Sequence, residues 1–355
     1  MRCPRCFRRY QDDSRFCQFD GQPLVQFIDL DRLRTEPTPR AGWVAGNRYR
    51  VHGFIGRGSM AEVFLARDLV TGDPVAVKVV GARHLKDPRT RARLLLEAKA
   101  CARITHPNVI DVLDVGIADR QPFIVMEYLF GESLGEYLRR DDIVKVEMGV
   151  PIVRQIAAGL GAAHRVGVVH RDVKPDNIFL VGPKRAPYVT KVVDFGMAKD
   201  PEHSNFTQHG VTLGTFEYMA PEQTVGDLPD ARTDVYALGV LMFRMFSGRL
   251  PFREVLVPDL LARQLASPPH APYIGKGPVE RHLVAIVLKA LRKQRDNRYA
   301  SMDLLIEDLD ALGTWNGPVH ALARIAGPDL YVPETPFSTR AAEVLRRRAA
   351  MLPGG

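Results

Sequence analysis

The chain of 355 residues has only four cysteines, two tryptophans and no long apolar run. Its longest apolar stretch, residues 235–243, ends at Arg244 and is far shorter than the roughly 18 residues that a membrane helix needs, so we expect a buried helix there. The N-terminus carries charges and cysteines where a secretory signal has an apolar core. These absences predict a cytoplasmic chain without a transmembrane segment, in which the cysteines are reduced.

The chain also lacks a concentrated patch of charge. Its formal net charge is +8, but the basic residues are dispersed and form no single stripe, so no specific nucleic-acid binding is expected. Hydrophobic residues make up 46% of the chain, which is enough for a packed core. The length accommodates one domain of about 260 residues with shorter segments around it.

Two short segments carry the chemistry. Residues 170–177, His-Arg-Asp-Val-Lys-Pro-Asp-Asn, contain Asp172 and Asn177, and Asp194-Phe195-Gly196 follows 22 positions after Asp172. Asp172 can accept the proton of a hydroxyl nucleophile, while Asn177 and Asp194 can hold Mg²⁺, or Mn²⁺, against the phosphates of ATP. The two segments resemble the catalytic loop and the metal-binding loop of protein kinases.

A segment upstream, residues 55–63, reads Ile-Gly-Arg-Gly-Ser-Met-Ala-Glu-Val, and its glycines can lie close over phosphates because they lack a Cβ. Alone it is as typical of an ordinary turn, and Ala61 replaces the usual third glycine. Lys78 ends an alternating apolar strand, where a lysine is usually a solvated edge residue. The kinase resemblance implies that Lys78 binds the α- and β-phosphates. Its implied partner is Glu97, otherwise a solvated helix residue, in a helix predicted over 89–104.

The resemblance also implies an adenine site along residues 123–129. Met126 would be the gatekeeper, and backbone groups of Glu127 and Leu129 would face the base. The residues assigned to ATP are Ile55, Gly56, Gly58, Val63, Ala76, Lys78, Glu97, Met126, Glu127, Leu129 and Phe179. The residues assigned to catalysis are Asp172, Lys174 and Asn177.

Between Asp194 and Ala220-Pro221-Glu222 lies the stretch that protein kinases use as an activation segment. The resemblance implies that Arg171, directly before the catalytic acid, grips a phosphate on this segment with its guanidinium. A threonine in such a loop is otherwise a solvated turn residue. The candidate acceptors are Thr207, eight residues before a structural Thr215, and Thr212.

The expected fold class is α+β. The resemblance implies the two-lobed protein-kinase fold over residues 47–312, with a five-stranded N-lobe and a mostly helical C-lobe, preceded by a small zinc ribbon. Residues 151–166 predict a long amphipathic helix. Two structural contacts are implied as well: Asp234 anchors the backbone of the catalytic loop, and Arg298 pairs with Glu222.

The first 24 residues differ from the rest. Cys3, Cys6, Cys17 and Asp20 have the spacing C-x₂-C-x₁₀-C-x₂-D, which resembles zinc ribbons except that Asp20 replaces a fourth cysteine. Since about 25 residues bury too little apolar surface to fold unaided, a structural Zn²⁺ on these four residues is predicted. The alternative is a degenerate ribbon that holds no metal. A regulatory protein partner is expected at this module, and the polar, Pro-containing residues 25–46 predict a linker.

Taken together, the motifs resemble those of bacterial Ser/Thr protein kinases, which implies that ATP and protein substrates are bound. Lys174 favours Ser/Thr over Tyr acceptors, since in the family this lysine contacts the γ-phosphate. One alternative is a pseudokinase scaffold, which the intact catalytic set disfavours. Another is a small-molecule kinase of the same fold, which the docking stretch at 214–222 disfavours. Residues 313–355 form an Arg-rich tail that could cap the C-lobe, bind an acidic partner or be mobile, and the last is preferred.

Overall fold

A computed structural model describes residues 36–58, 61–81, 88–182, 188–195, 216–254 and 256–314, together with Tyr10, residues 14–18 and Gly21. The chain divides into two compact units. The first contains residues up to Glu132 and Phe179–Lys191, and the second contains Ser133–Ile178 and the residues from Val192 onward. The first is built on a sheet and the second on helices, which confirms the predicted fold class for the two lobes.

The first unit contains a six-stranded antiparallel sheet in the order β1-β2-β3-β4-β6-β5. Its strands are β1 (Val44–Ala45), β2 (Tyr49–Arg57), β3 (Ala61–Asp68), β4 (Pro74–Val80), β5 (Val112–Ala118) and β6 (Gln121–Glu127). Three short strands form a second sheet: β7 (Gly131–Ser133), β8 (Ile178–Val181) and β9 (Val189–Val192). Helix α1 (Pro88–Cys101) packs against β5 and β6.

Strict alternation of side chains builds the core on one face of the large sheet. Phe64 pairs with Val77, and Val77 with Val125, so these three side chains point to the same side. The buried cluster on this face consists of Ala45, Tyr49, Val51, Phe64, Ala66, Val75, Val77, Val79, Phe123 and Val125. Because side chains alternate, the residues between them point to the opposite face.

The structure corrects the C-terminal part of the predicted linker. Residues 36–46, called the N-terminal strap below, lie against the sheet and supply the sixth strand, where the sequence predicted five. Arg40 donates to Gln121 Oε1 at 2.6 Å, and Trp43 donates from Nε1 to Asp119 Oδ2 at 2.7 Å. These partners lie about eighty positions away in sequence, which is why local composition missed them.

The described helices of the second unit are α2 (Leu134–Asp141), α3 (Val146–Arg165), α4 (Pro221–Val225), α5 (Ala231–Ser247), α6 (Val257–Ala266), α7 (Pro278–Ala290) and α8 (Met302–Asp310). Helix α5 is buried along nearly its whole length. Its N-cap is Asp230, whose side chain accepts from the Arg232 N–H at 2.8 Å, and it ends at Gly248 with a left-handed φ of 71°. Both ends of this central helix are therefore fixed by local sequence.

Helix α3 begins at Val146, five residues before the predicted start, and contains Pro151. Proline removes one hydrogen bond near the beginning of the helix, and burial of Ile152, Ile156 and Leu160 outweighs that loss. Within the described residues, no helix combines the length and the apolar character that crossing a bilayer would require.

Candidate active site

Four of the predicted ATP-binding side chains of the first unit share the sheet face opposite the core cluster. Val63 pairs with Lys78, and Ala76 pairs with Met126. Directly paired residues project to the same side, and here they alternate with the buried core residues. Gly56 pairs with Val63 next to a register shift. Four predicted residues are thus gathered on one surface.

The chain that leaves β6 requires glycine at one position. Gly131 has a φ of 156°, and a Cβ added there would overlap the carbonyl oxygen of Leu180. Its close approach to β8 also brings it next to the ring of Phe179, which is half-buried. Leu129 is half-buried as well, whereas Ile55 is 45% exposed. The predicted ATP residues of the first unit thus include both buried and accessible side chains.

The pKa of a buried thiol, that of Cys101, is affected by both Lys78 and Glu97, the two members of a predicted ion pair. Burial raises the pKa of Cys101 to about 12, with a further increase from Glu97 and an opposing effect of Lys78. Glu97 lies on α1 and Lys78 on β4, so both charges come near the same point at the end of α1. The pairing of Lys78 with Glu97 itself stays a prediction.

The side chain of Glu127 has a role that the sequence did not suggest. It is buried and forms an ion pair with the buried Lys191 of β9, and it also accepts from the backbone N–H of Asp111 at 2.9 Å. Lys191 donates to the carbonyl oxygen of Val109 at 3.2 Å, and Asn108 donates to that of Thr190 at 2.8 Å. Burial raises the pKa of Glu127 to about 7, against the opposing charge of Lys191.

In the second unit, the predicted catalytic residues meet at one carboxylate. The ammonium of Lys174 lies 3.1 Å from Asp172 Oδ2, and Asn177 Nδ2 donates to the same oxygen at 3.1 Å and to the Asp172 carbonyl at 2.8 Å. The 3₁₀ turn Pro175–Asn177 brings the asparagine back toward the acid. The structure therefore brings together the three residues that the sequence assigned to catalysis.

His170 connects the catalytic loop to the metal-binding loop. Its Nδ1 accepts from the Asp172 N–H at 3.2 Å, so the proton of the neutral ring lies on Nε2, which donates to the Val193 carbonyl at 2.9 Å. The imidazole also packs on the ring of Phe195, with centroids 4.6 Å apart. His170 thus contacts the backbone of Asp172 and the two neighbours of Asp194, and so links the two loops.

The side chain of Asp234, on α5, anchors the backbone of the catalytic loop. Its carboxylate accepts from the backbone N–H of His170 at 2.8 Å and of Arg171 at 2.9 Å, and it contacts His164 Nε2 at 2.7 Å. The side chain is 1% exposed, so three donors satisfy a carboxylate removed from water. The loop anchor predicted from the sequence is present.

Two residues of this site have left-handed backbones although neither is glycine. Arg171 has a φ of 65° and Asp194 a φ of 57°. Such conformations cost about 1–3 kcal/mol each and persist where surrounding contacts impose them. The guanidinium Nε of Arg171 is buried and has no hydrogen-bond partner among the described residues.

The predicted pair of Glu222 and Arg298 is fully buried. Two parallel contacts of 2.8 Å join the carboxylate to the guanidinium, and the Thr233 hydroxyl donates to Glu222 at 2.8 Å. Burial favours the protonated acid, but the bonds from Arg298 outweigh it and keep the pKa of Glu222 below its usual value. This contact fixes the start of α4.

A family model described as the protein kinase domain matches residues 49–307. The match covers most of the chain and contains every catalytic contact above. The chain belongs to the protein kinase family. The family match begins at β2 and ends within α8, and the predicted domain bounds of 47–312 stay a prediction.

Curated relatives of this kinase domain are similar to it over most of its length. Serine/threonine-protein kinase Pkn1 of Myxococcus xanthus is 40% identical over 308 residues, which is 84% of this chain and 44% of the relative. Serine/threonine-protein kinase pkn3 of the same organism is 37% identical over 288 residues, 79% of this chain and 53% of the relative. The kinase chain thus spans about half the length of these relatives.

Solved structures resemble the kinase domain too. A crystal structure of the PknI kinase domain of Mycobacterium tuberculosis matches with a TM-score of 0.61 and 26% identity, over 78% of this chain and 99% of that one. A second crystal structure of the same domain matches with a TM-score of 0.58 and 26% identity, over 77% of this chain and 98% of that one.

Several predicted residues of the kinase lie outside the described part of the chain. They are Cys3, Cys6 and Asp20 of the ribbon, Thr207, Thr212 and Thr215 of the activation segment, and the tail from residue 315. Cys17 is described and buried, with the Tyr10 hydroxyl 3.0 Å from its sulfur. No cluster of metal-binding side chains occurs among the residues that are described.

Three polar residues that contact predicted site residues or the segment leading to Glu222 were not singled out from the sequence. The first is Lys191. It could have been noticed in the sequence because it is the one charged residue in the mostly apolar stretch 188–193. Gln223 is another: its Nε2 donates to the Arg171 carbonyl at 3.1 Å, and its Oε1 accepts from the Ala220 N–H at 3.0 Å. Gln264, on α6, is the third.

Proposed function

We propose that this chain transfers the γ-phosphoryl group of ATP to serine and threonine hydroxyls of proteins. The observation that carries the proposal is the convergence of Lys174 and Asn177 on the carboxylate of Asp172. In this role Asp172 orients the acceptor hydroxyl and takes its proton, while Lys174 neutralises phosphate charge. The relatives named serine/threonine-protein kinases support the class of acceptor.

Asn177 and Asp194 would hold the Mg²⁺ or Mn²⁺ that accompanies ATP. Their amide and carboxylate oxygens are the ligands that these hard cations prefer. Because Nδ2 of Asn177 is bonded to Asp172, the amide oxygen points away from that carboxylate. The bound ion would neutralise phosphate charge, and Lys78 is proposed to have the same effect on the α- and β-phosphates.

The pseudokinase alternative receives no support. A binding module without chemistry has no need of the intact catalytic residues Asp172, Lys174 and Asn177, and the relatives are named serine/threonine-protein kinases. The small-molecule alternative is disfavoured by the buried Glu222–Arg298 pair, which holds the segment that in kinases receives a peptide.

Phosphorylation of the activation segment is proposed to regulate the activity. Thr207 is the preferred acceptor and Thr212 the alternative. The support lies in Arg171, whose buried Nε has no partner among the described residues and can donate to a phosphate oxygen.

A zinc site at the N-terminus is proposed separately. Cys3, Cys6 and Cys17 would bind Zn²⁺ as thiolates, with Asp20 as the fourth ligand. The support is the spacing of these residues together with the buried position of Cys17. Such a module would serve as a docking site for a regulatory protein partner.

Autophosphorylation with labelled ATP tests the kinase proposal. Replacing the catalytic carboxylate, Asp172→Asn, should reduce transfer about 10³-fold or more, because the amide cannot accept the hydroxyl proton. The matched control is Asp303→Asn on α8, which removes an exposed carboxylate far along the chain and should retain wild-type transfer. Mass spectrometry of the wild-type product should locate phosphate on Thr207. Undiminished transfer by the Asp172 variant would refute the assignment.

A further inference from the structure

The segment Phe216–Glu222 is held at both ends by side chains from elsewhere in the second unit. At its C-terminal end, Glu222 is bound by Arg298. At its N-terminal end, Nε2 of Gln264 donates to the carbonyl oxygen of Phe216 at 2.7 Å and to that of Glu217 at 3.3 Å. The first contact was predicted from the sequence, and the second was not.

The burial of Gln264 is unusual for its type, because the side chain is 0% exposed. Both of its partners are carbonyl acceptors, which fixes the amide with its nitrogen toward the segment. Its Oε1 is buried without a hydrogen-bond partner among the described residues. An apolar side chain of the same length would avoid that unsatisfied oxygen but would leave the carbonyls of Phe216 and Glu217 without this donor, so the glutamine serves to hold these two carbonyls.

Lys293 fixes the helix that carries Gln264. Its ammonium is nearly buried and donates to the backbone carbonyl of Gln264 at 2.6 Å, at the C-terminal end of α6. A cation is favoured at this end because the last carbonyls of a helix lack intrahelical partners. The ammonium also lies 4.1 Å from the ring centroid of Phe252.

The contacts close into a ring. The carbonyl of Lys293 accepts from Nη2 of Arg298 at 2.8 Å, and the same nitrogen binds Glu222 at 2.8 Å. Gln223 then connects the end of the segment to the carbonyl of Arg171, one residue before the catalytic acid. These contacts connect the backbone at Phe216 and Glu217 to the catalytic loop.

We propose that Gln264 is a positioning residue for the protein substrate, which acts by fixing the Phe216 and Glu217 carbonyls and so the backbone against which the acceptor chain lies. The inference rests on the proposed kinase activity, in which the residues before Ala220-Pro221-Glu222 receive the substrate. Gln264 touches neither ATP nor the reacting atoms, so its removal should weaken capture of the peptide and leave the chemical step intact.

The key variant is Gln264→Met, which is close in shape and lacks both donors. The KM for a peptide should rise about tenfold, in keeping with the loss of buried hydrogen bonds, while kcat and the KM for ATP change less than about twofold. Gln264→Glu should raise the peptide KM further, because a carboxylate would face two carbonyl oxygens. Leu265→Met, at the next position of α6, is the control for packing and should match the wild type.

The assay uses the full chain with a serine peptide selected by the wild-type protein from a degenerate library. Melting temperatures report folding, and Gln264→Asn, which withdraws the same amide by one methylene, serves if the other variants do not fold. A wild-type protein that phosphorylates no peptide overturns the proposed function, and this inference with it. An active wild type with an unchanged peptide KM in the folded variants overturns the inference alone. Parallel increases in both KM values would also overturn it, since they indicate a general structural role.

Discussion

Glu127 shows how a single buried residue can make stability depend on pH. Its carboxylate, its partner Lys191 and the N–H of Asp111 form a polar group inside the first unit. Burial penalises the ionised form more than these partners favour it, and the pKa rises to about 7. A carboxyl group in a folded protein therefore titrates in the range where the protein would be assayed.

The pH dependence of unfolding follows from that shift. The folded state holds the Glu127 proton up to about pH 7, whereas the unfolded chain releases it near 4.5, so stability from this group is present below 4.5 and is lost as pH rises toward 7. The loss should be on the order of 3 kcal/mol. Urea unfolding of the wild type and Glu127→Gln at a series of pH values isolates it as the difference between the two curves. Parallel curves between pH 4.5 and 7 would contradict the assignment.

At the scale of single residues, the sequence predicts those that lie within a short motif of fixed spacing. Asp172, Asn177 and Asp194 have fixed spacings within two short motifs, so the sequence identifies them without knowledge of the fold. Lys191 and Gln264 act through partners 64 and 48 residues away. Such partners are chosen by tertiary packing, so no local pattern identifies them, even where a lone lysine such as Lys191 stands out within an apolar run.

At the scale of elements, the N-terminal strap is the clearest departure from the prediction. Its composition around Thr35–Gly42 is that of a linker, yet Arg40 lies over the rings of Trp43 and Phe64, with its guanidinium 5.0 and 5.8 Å from their centroids. Strand alternation and helix periodicity did predict the large sheet, α1 and the burial of α5. The misplaced start of α3 follows from treating Pro151 as a boundary.

The strap should contribute measurably to the stability of the first unit. Trp43→Ala removes the hydrogen bond to Asp119 and the stacking with Arg40, so we expect a loss of about 2 kcal/mol. Arg50→Ala, an exposed position on the neighbouring strand β2, is the control and should change stability by less than about 0.5 kcal/mol. Thermal unfolding followed by circular dichroism compares the two variants. Equal effects would show that the strap contributes nothing specific.

At the scale of the whole molecule, the kinase domain follows an N-terminal segment whose cysteines have metal-ligand spacing. The family match over residues 49–307 leaves that module outside the kinase domain. If Cys17 is a ligand, zinc content should depend on it and be independent of Cys101, which is equally buried at the end of α1. The two cysteines therefore provide a matched pair.

Zinc analysis of the full chain tests this. We expect about one equivalent in the wild type and in Cys101→Ser, and a large loss in Cys17→Ser, because a three-thiolate site cannot retain its affinity with one ligand removed. Asp20→Cys should tighten binding, since a thiolate is the softer ligand. Less than about 0.1 equivalent in the wild type at neutral pH would mean that the ribbon is degenerate.

The strap also has a consequence for how the sheet meets its surroundings. Strand β2 would be an open edge without Val44, Ala45 and Glu36, which occupy its outward-facing hydrogen-bonding positions. Open edges offer unpaired backbone groups to any other chain and promote association between molecules. A chain trimmed to the predicted kinase boundary at residue 47 would expose that edge of β2. The trimmed protein should therefore self-associate along β2 more readily than the full chain.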